Sequence, residues 1–200
     1  MPRKDAGSGN KANKSKRALL LIDLISQWDY ADGKSLLRQT LPIIPALVRM
    51  RKSAAAARAP VIFVNDNFGQ WRSDFRQVTA AARSSADDAA RIVDALQPGA
   101  EDYFVLKPRH SAFFATPLDL LLQELDADTL VLCGVAGDQC ILASASEALL
   151  HRFRVIIPRD GIACATAQRK AAVLKHFHEA MDIPTPLSRT LRWRSTERRA

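Results

Sequence analysis

Five short, mostly apolar runs recur along the chain: ALLLI at 18–22, VIFV at 61–64, YFVL at 103–106, TLVLC at 129–133 and FRVII at 153–157. Longer helix-forming stretches separate them. A continuous apolar run marks a strand covered on both faces, and parallel strands need crossovers long enough to hold a helix. The pattern predicts a three-layer, Rossmann-like α/β fold with a mainly parallel sheet. Helices are expected at 43–58, with Pro42 near the start, in the Ala-rich part of 68–98, at 117–125 with Thr116 as N-cap, at 140–152 and at 165–180. A short edge strand at Met181–Pro186 would bring the sheet to about six strands. No internal repeat is present.

At 200 residues the chain suffices for one domain, and such a domain buries roughly 70% of its unfolded surface. Its 8 Gly, 10 Pro and 3 Cys against 48% apolar residues exclude collagenous, disulfide-built and wholly disordered classes. The formal charge of +8 sits at the ends: 1–17 carries +5 and 188–200 carries +4, leaving about −1 for the body. The expected organisation is therefore a basic, disordered tail at 1–17, one domain at 18–187 and a basic tail at 188–200. In the latter, Leu191 and Trp193 are placed to dock on the body or on a second subunit. Basic tails attract polyanions without sequence specificity, but no basic and aromatic pattern occurs in the body, so nucleic acid is not an expected partner. No apolar run approaches the roughly 20 residues of a membrane span, and the N-terminal lysines lack an apolar stretch behind them. The expectation is a soluble, cytoplasmic protein.

In open parallel sheets, ligands bind beyond the carboxyl ends of the strands, where strand order reverses. Three residues there carry chemistry: Asp23 after the first strand, Lys107 after the third and Cys140 at the helix that follows the fourth. Singly, each has a bland reading as a turn carboxylate, a solvated amine or a packed thiol. Converging, they make a base, a cation and a nucleophile, and a helix dipole would lower the thiol pKa. Cys133, inside an apolar strand, and Cys164, in a loop, read as structural thiols. His176 and His178 are two apart on a helix and point to different faces. His110 and His151 are isolated, although His110 lies near Lys107 at the rim of the expected site.

The chain resembles the isochorismatase-like cysteine hydrolases, the family of nicotinamidases and N-carbamoylsarcosine amidase. The resemblance runs from about Ala18 to Pro186. It rests on LLLIDLISQW at 19–28, FVNDNFGQWRSDF at 63–75, YFVLKPRHSAFFATPLDLLL at 103–122 and LVLCGVAGDQCILASASEAL at 130–149. The resemblance implies a catalytic triad of Asp23, Lys107 and Cys140, a cis peptide between Val135 and Ala136, and an oxyanion hole from the Ala136 and Cys140 amides. It also places Trp28, Asn67, Trp71 and Phe113 beside the substrate pocket, with Phe68 and Phe114 in the same bordering segments. There are departures: Ile25 stands where Gln is frequent and Gly137 where Thr is usual. Metal-dependent nicotinamidases carry an Asp and two His after the second strand, whereas here that segment is Asn65-Asp66-Asn67-Phe68-Gly69-Gln70-Trp71. No metal and no other cofactor is expected.

The resulting expectation is a metal-independent cysteine hydrolase that cleaves a C–N bond of a small amide, ureide or carbamoyl substrate through a thioester on Cys140. A homodimer or homotetramer is the assembly the resemblance suggests. The alternatives are vinyl-ether hydrolysis of the isochorismatase type, which needs a proton donor but no acyl-enzyme, and a non-catalytic scaffold of the same fold.

Overall fold

The computed structural model describes residues 17–85, 87–96 and 98–193. Residues 1–16 and 194–200, most of the two expected tails, lie outside the described residues.

The strands are β1 (Arg17–Ile22), β2 (Val61–Asp66), β3 (Tyr103–Lys107), β4 (Thr129–Gly134) and β5 (Arg154–Ile156). They form one sheet in the order β3-β2-β1-β4-β5, and every pair is parallel. The helices are α1 (Gly33–Thr40), α2 (Ile44–Ala56), α3 (Phe75–Arg83), α4 (Asp87–Leu96), α5 (Leu118–Glu124), α6 (Leu142–Leu150) and α7 (Ala167–Glu179). No helix among the described residues is long and apolar enough to cross a membrane.

Side-chain alternation along the strands divides the core into two layers. Leu19, Leu21, Val61, Phe63, Val131 and Cys133 face α1 to α4. Leu20, Ile22, Ile62, Val64, Leu130 and Leu132 face α5 to α7. Because both faces are covered, β1 is fully buried from Ala18 to Ile22, which is why its sequence reads as an unbroken apolar run. Each such leucine or isoleucine contributes about 1.5–3 kcal/mol relative to exposure.

The described sheet has five strands rather than about six. Residues 181–186 run beside the chain after β5, from which they only accept: Ile157 N donates to Pro184 O and Arg159 N to Pro186 O, while Met181 N and Ile183 N donate to α7. Prolines at 184 and 186 have no N–H to give back, so no ladder forms. Three further differences concern ends and turns. Helix α1, for which the sequence offers no strong apolar period, precedes α2 and packs Leu36 into the core. Pro117 occupies the cap position of α5, one residue later than expected, although Thr116 Oγ1 still accepts from Leu118 N at 3.3 Å while its hydroxyl donates to Ala112 O. The segment set apart as a C-terminal tail begins on the body: Ser188 donates through N and Oγ to Asp160, and Trp193 is buried against the α1 to α4 layer.

Candidate active site

Strand order reverses between β1 and β4, and the carboxyl end of β3 lies on the same edge, with that of β2 between it and β1. Asp23 follows β1 with a left-handed backbone (φ 53°), a conformation that Asp tolerates better than most residues. Its amide donates to Val64 O at 2.8 Å, and its Oδ1 accepts from Asp66 N at 2.7 Å. The carboxylate is thereby fixed on the end of β2 and presents Oδ2 to Lys107 Nζ at 2.8 Å.

Lys107, the last residue of β3, is completely buried. Its stem crosses the end of β2, and Nζ lies 3.4 Å from Asp66 Oδ2, 3.1 Å from Arg109 O and 3.5 Å from Cys140 Sγ. A buried ammonium is stable only when paired and hydrogen-bonded, and here two carboxylates flank it. The part played by Asp66 was not legible in the sequence, where it stands between Asn65 and Asn67 in the polar segment after the second apolar run.

Cys140 is delivered by an irregular passage out of β4. Gly134 has φ +119°, and a Cβ there would fall 2.1 Å from Ile22 O, so only glycine lets β4 run this close to β1. The Val135–Ala136 peptide is cis. Val135 N donates to Ile22 O at 3.0 Å and Gly137 N to Ala163 O at 2.8 Å, which holds the turn on both sides. One wide helical turn, Gly137–Ile141, is closed by Ile141 N donating to Ala136 O and leads into α6. The Ala136 N–H has no acceptor among the described residues. Ser144 Oγ accepts from Ala112 N at 2.9 Å and ties the loop after β3 to α6. That loop brings His110 Nδ1 to 3.5 Å from Cys140 Sγ.

Burial governs the proton affinities. It pushes the Cys140 thiol up to about 12; the negative charge of Asp23 adds to this, and Lys107 opposes it. This corrects the expectation of a thiol lowered by a helix dipole, because Cys140 lies within the wide turn and is only 8% exposed. Burial likewise raises the Asp23 carboxyl against the lowering effect of Lys107. For Lys107, burial disfavours the charge, but Asp23, Cys140 and Asp66 together outweigh it and raise the ammonium above its ordinary value. Burial and the neighbouring charges thus favour an ammonium at Lys107 and a neutral thiol at Cys140, beside a carboxyl at Asp23 whose affinity for a proton is raised.

The four expected pocket residues differ in their surroundings. Trp28 is buried in the α1 to α4 layer with Nε1 unpartnered, and Phe113 is buried beside α6, stacked on His151. Asn67 is buried and shapes the turn, its Oδ1 accepting from Gly69 N, whereas Trp71 is 77% exposed. A cavity of about 230 Å³ instead adjoins Ala136, lined by Tyr30, Asp32, Leu36, Gln139 and Arg169. Arg169 bridges Asp32 (2.8 Å) and Asp138 (2.5 Å) across its wall. These residues come from the loop before α1, from α1 itself, from the wide turn and from the start of α7, and no sequence spacing announces them. A larger cleft of about 470 Å³ beside Pro60, Tyr103 and Leu125 lies at the opposite ends of the strands and holds no nucleophile. Among the described residues, no three His, Cys, Asp or Glu side chains converge as a metal site requires.

A family model described as an isochorismatase domain matches residues 17–186. The isochorismatase family protein YaaI of Bacillus subtilis (strain 168) is 32% identical over 151 residues, which cover 76% of this chain and 82% of that protein. An N-carbamoylsarcosine amidase of Arthrobacter sp is 29% identical over 168 residues, covering 78% and 61%. Among solved structures, an isochorismatase family protein from Desulfovibrio vulgaris subsp. vulgaris str. Hildenborough superposes with a TM-score of 0.71 at 20% identity, over 88% of this chain and 96% of that one. At that identity the superposition speaks for the fold.

Proposed function

The chain belongs to the isochorismatase family and is a hydrolase, and from that premise we propose that it cleaves a C–N bond of a small amide, ureide or carbamoyl compound with Cys140 as nucleophile. One observation carries the reading: a fully buried Lys107 ammonium touches both the Asp23 carboxylate and the Cys140 sulfur. A scaffold has no physical need for such a group, and vinyl-ether hydrolysis has no need of the thiol. The similarity to an N-carbamoylsarcosine amidase supports the amide class.

The chemistry follows from the resting charges. Asp23, whose proton affinity burial has raised, takes the Cys140 proton as the thiolate attacks the carbonyl carbon. Lys107 stabilises the sulfur anion so formed. The Ala136 N–H, with the Cys140 amide, receives the developing oxyanion, an interaction worth roughly 3–4 kcal/mol per donor in sites of this kind. Asp23 then returns the proton to the departing nitrogen, leaving a thioester that water hydrolyses. The cavity beside Ala136 is smaller than the roughly 300 Å³ at which drug-sized sites begin, so the substrate is small. Assembly as a homodimer or homotetramer belongs to the same proposal.

The test is a panel of small primary amides, ureides and carbamoyl compounds against wild type, Cys140→Ala and Asp23→Asn, with circular dichroism to show that each variant is folded. Turnover in wild type alone is expected. A folded Cys140→Ala that keeps near wild-type turnover would sink the mechanism.

A further inference from the structure

Cys140 Sγ has a neighbour that this mechanism leaves idle. His110 Nδ1 lies 3.5 Å from the sulfur, on the loop after β3, and the imidazole is exposed. The fully buried Lys107, paired with a largely covered Asp23, and the exposed imidazole therefore reach the same sulfur from differently solvated surroundings. The remaining charged groups about the loop are committed elsewhere: Lys107 Nζ is engaged by Asp23, Asp66 and Arg109 O, and Arg109 donates to Pro108 O.

Resting on the thioester reading above, we propose that His110 is a second catalytic proton-transfer residue, serving the hydrolysis of the acyl-enzyme. Neutral Nδ1 takes a proton from the water that attacks the thioester carbonyl. A C–O bond forms, the C–S bond breaks, and the imidazolium passes that proton to Sγ as the sulfur departs. The sum is thioester plus water giving acid plus thiol, with His110 returned to its neutral form. Two features of the site call for such a group. A thiol that burial makes hard to ionise is a poor leaving group unless it is protonated as it leaves. Asp23 is largely covered and held by Lys107, whereas His110 is exposed within 3.5 Å of the sulfur, where solvent can reach it.

The step can be isolated with p-nitrophenyl acetate, an acyl donor whose leaving group needs no proton. The enzyme is acetylated and desalted, and the decay of the acetyl adduct on Cys140 is followed by mass spectrometry in wild type, His110→Ala and His110→Gln. Both variants are expected to acetylate and then to lose the adduct about 100-fold more slowly, within the range that a positioned general base supplies. Free imidazole should accelerate decay in His110→Ala, a rescue that a purely structural role would not produce. Decay at the wild-type rate, or slow decay that imidazole leaves unchanged, overturns the role of His110 while the nucleophile stands. Absence of an acetyl adduct on Cys140 in all three proteins removes the thioester itself and overturns both readings.

Discussion

Cys133 and Cys140 stand seven positions apart on one strand and the turn that leaves it, both buried, and they sit in opposite kinds of surroundings. Cys133 is inside β4, fully enclosed, with its sulfur 3.8 Å from Met50 Sδ in the α1 to α4 layer. Burial raises its thiol, and the charge of Asp160 adds to that. Cys140 lies past the end of the strand, where burial also raises the thiol but Lys107, Asp23 and His110 surround it. Burial alone makes a thiol inert. What separates the second site is a cation that favours the anion and a base that can take the proton, both fixed by neighbouring strand ends.

The comparison is broken most directly by exchanging the two losses. Cys140→Ala should lower turnover at least about 10⁴-fold, as loss of a nucleophile does elsewhere, with little change in melting temperature. Cys133→Ala should keep turnover within a few-fold of wild type. Steady-state rates on one amide substrate check both, and equal losses would erase the distinction between the two sulfurs.

The next largest effect removes the cation. In Lys107→Met, Asp23 and Asp66 face each other across an apolar chain, and breaking a buried pair in this way costs about 3–5 kcal/mol. Chemical denaturation should show that loss together with abolished turnover. A variant as stable as wild type would mean that the ammonium is not paired as described.

A subtler change sharpens the electrostatic side. Asp23 raises the Cys140 thiol and Lys107 lowers it, while Asp66 remains to hold the ammonium charged. Asp23→Asn should therefore lower the thiol pKa and speed iodoacetamide alkylation of Cys140 by about tenfold at pH 8, the equivalent of one pKa unit, even as turnover is lost. In wild type, alkylation of Cys140 should keep rising with pH beyond 9, since its thiol is pushed up to about 12. A plateau near neutrality would contradict that placement.

Much of the site was legible because the fold rule is geometric: once the runs at 18–22, 103–106 and 129–133 are parallel strands, Asp23, Lys107 and Cys140 must emerge at one edge. Legibility ended where position depends on loop paths. Asp66 turns back onto Lys107, His110 meets the sulfur, and Arg169 closes the cavity wall from α7, and none of these has a spacing that periodicity can express. Trp28 and Phe113 show the converse limit. An aromatic flanking a strand end lies equally close in sequence to a pocket and to a core layer, and packing put both in the core. The fold was misread at its margins for a related reason, since Pro184 and Pro186 make an extended segment that accepts hydrogen bonds without being able to return them.

The smallest effect lies at Cys133 and concerns the alkaline side of the stability curve. Its thiol is raised in the folded protein, whereas in the unfolded chain it ionises near 9. A group whose folded pKa is raised contributes stability that is intact below the unfolded pKa and is lost as pH climbs above it. Wild type should therefore lose up to about 1.4 kcal/mol per pH unit for this thiol above pH 9, in addition to similar losses from Cys140 and from Cys164, which is raised to about 11. Cys133→Ala removes one of the three contributions. At pH 8 it should be less stable than wild type by about 1 kcal/mol, for the packing lost around the sulfur. By pH 10.5 the deficit should have closed or changed sign. Urea midpoints at the two pH values measure it, and a constant gap would show that the strand-interior thiol ionises as readily folded as unfolded, leaving burial unable to explain why Cys133 is the inert partner of the pair.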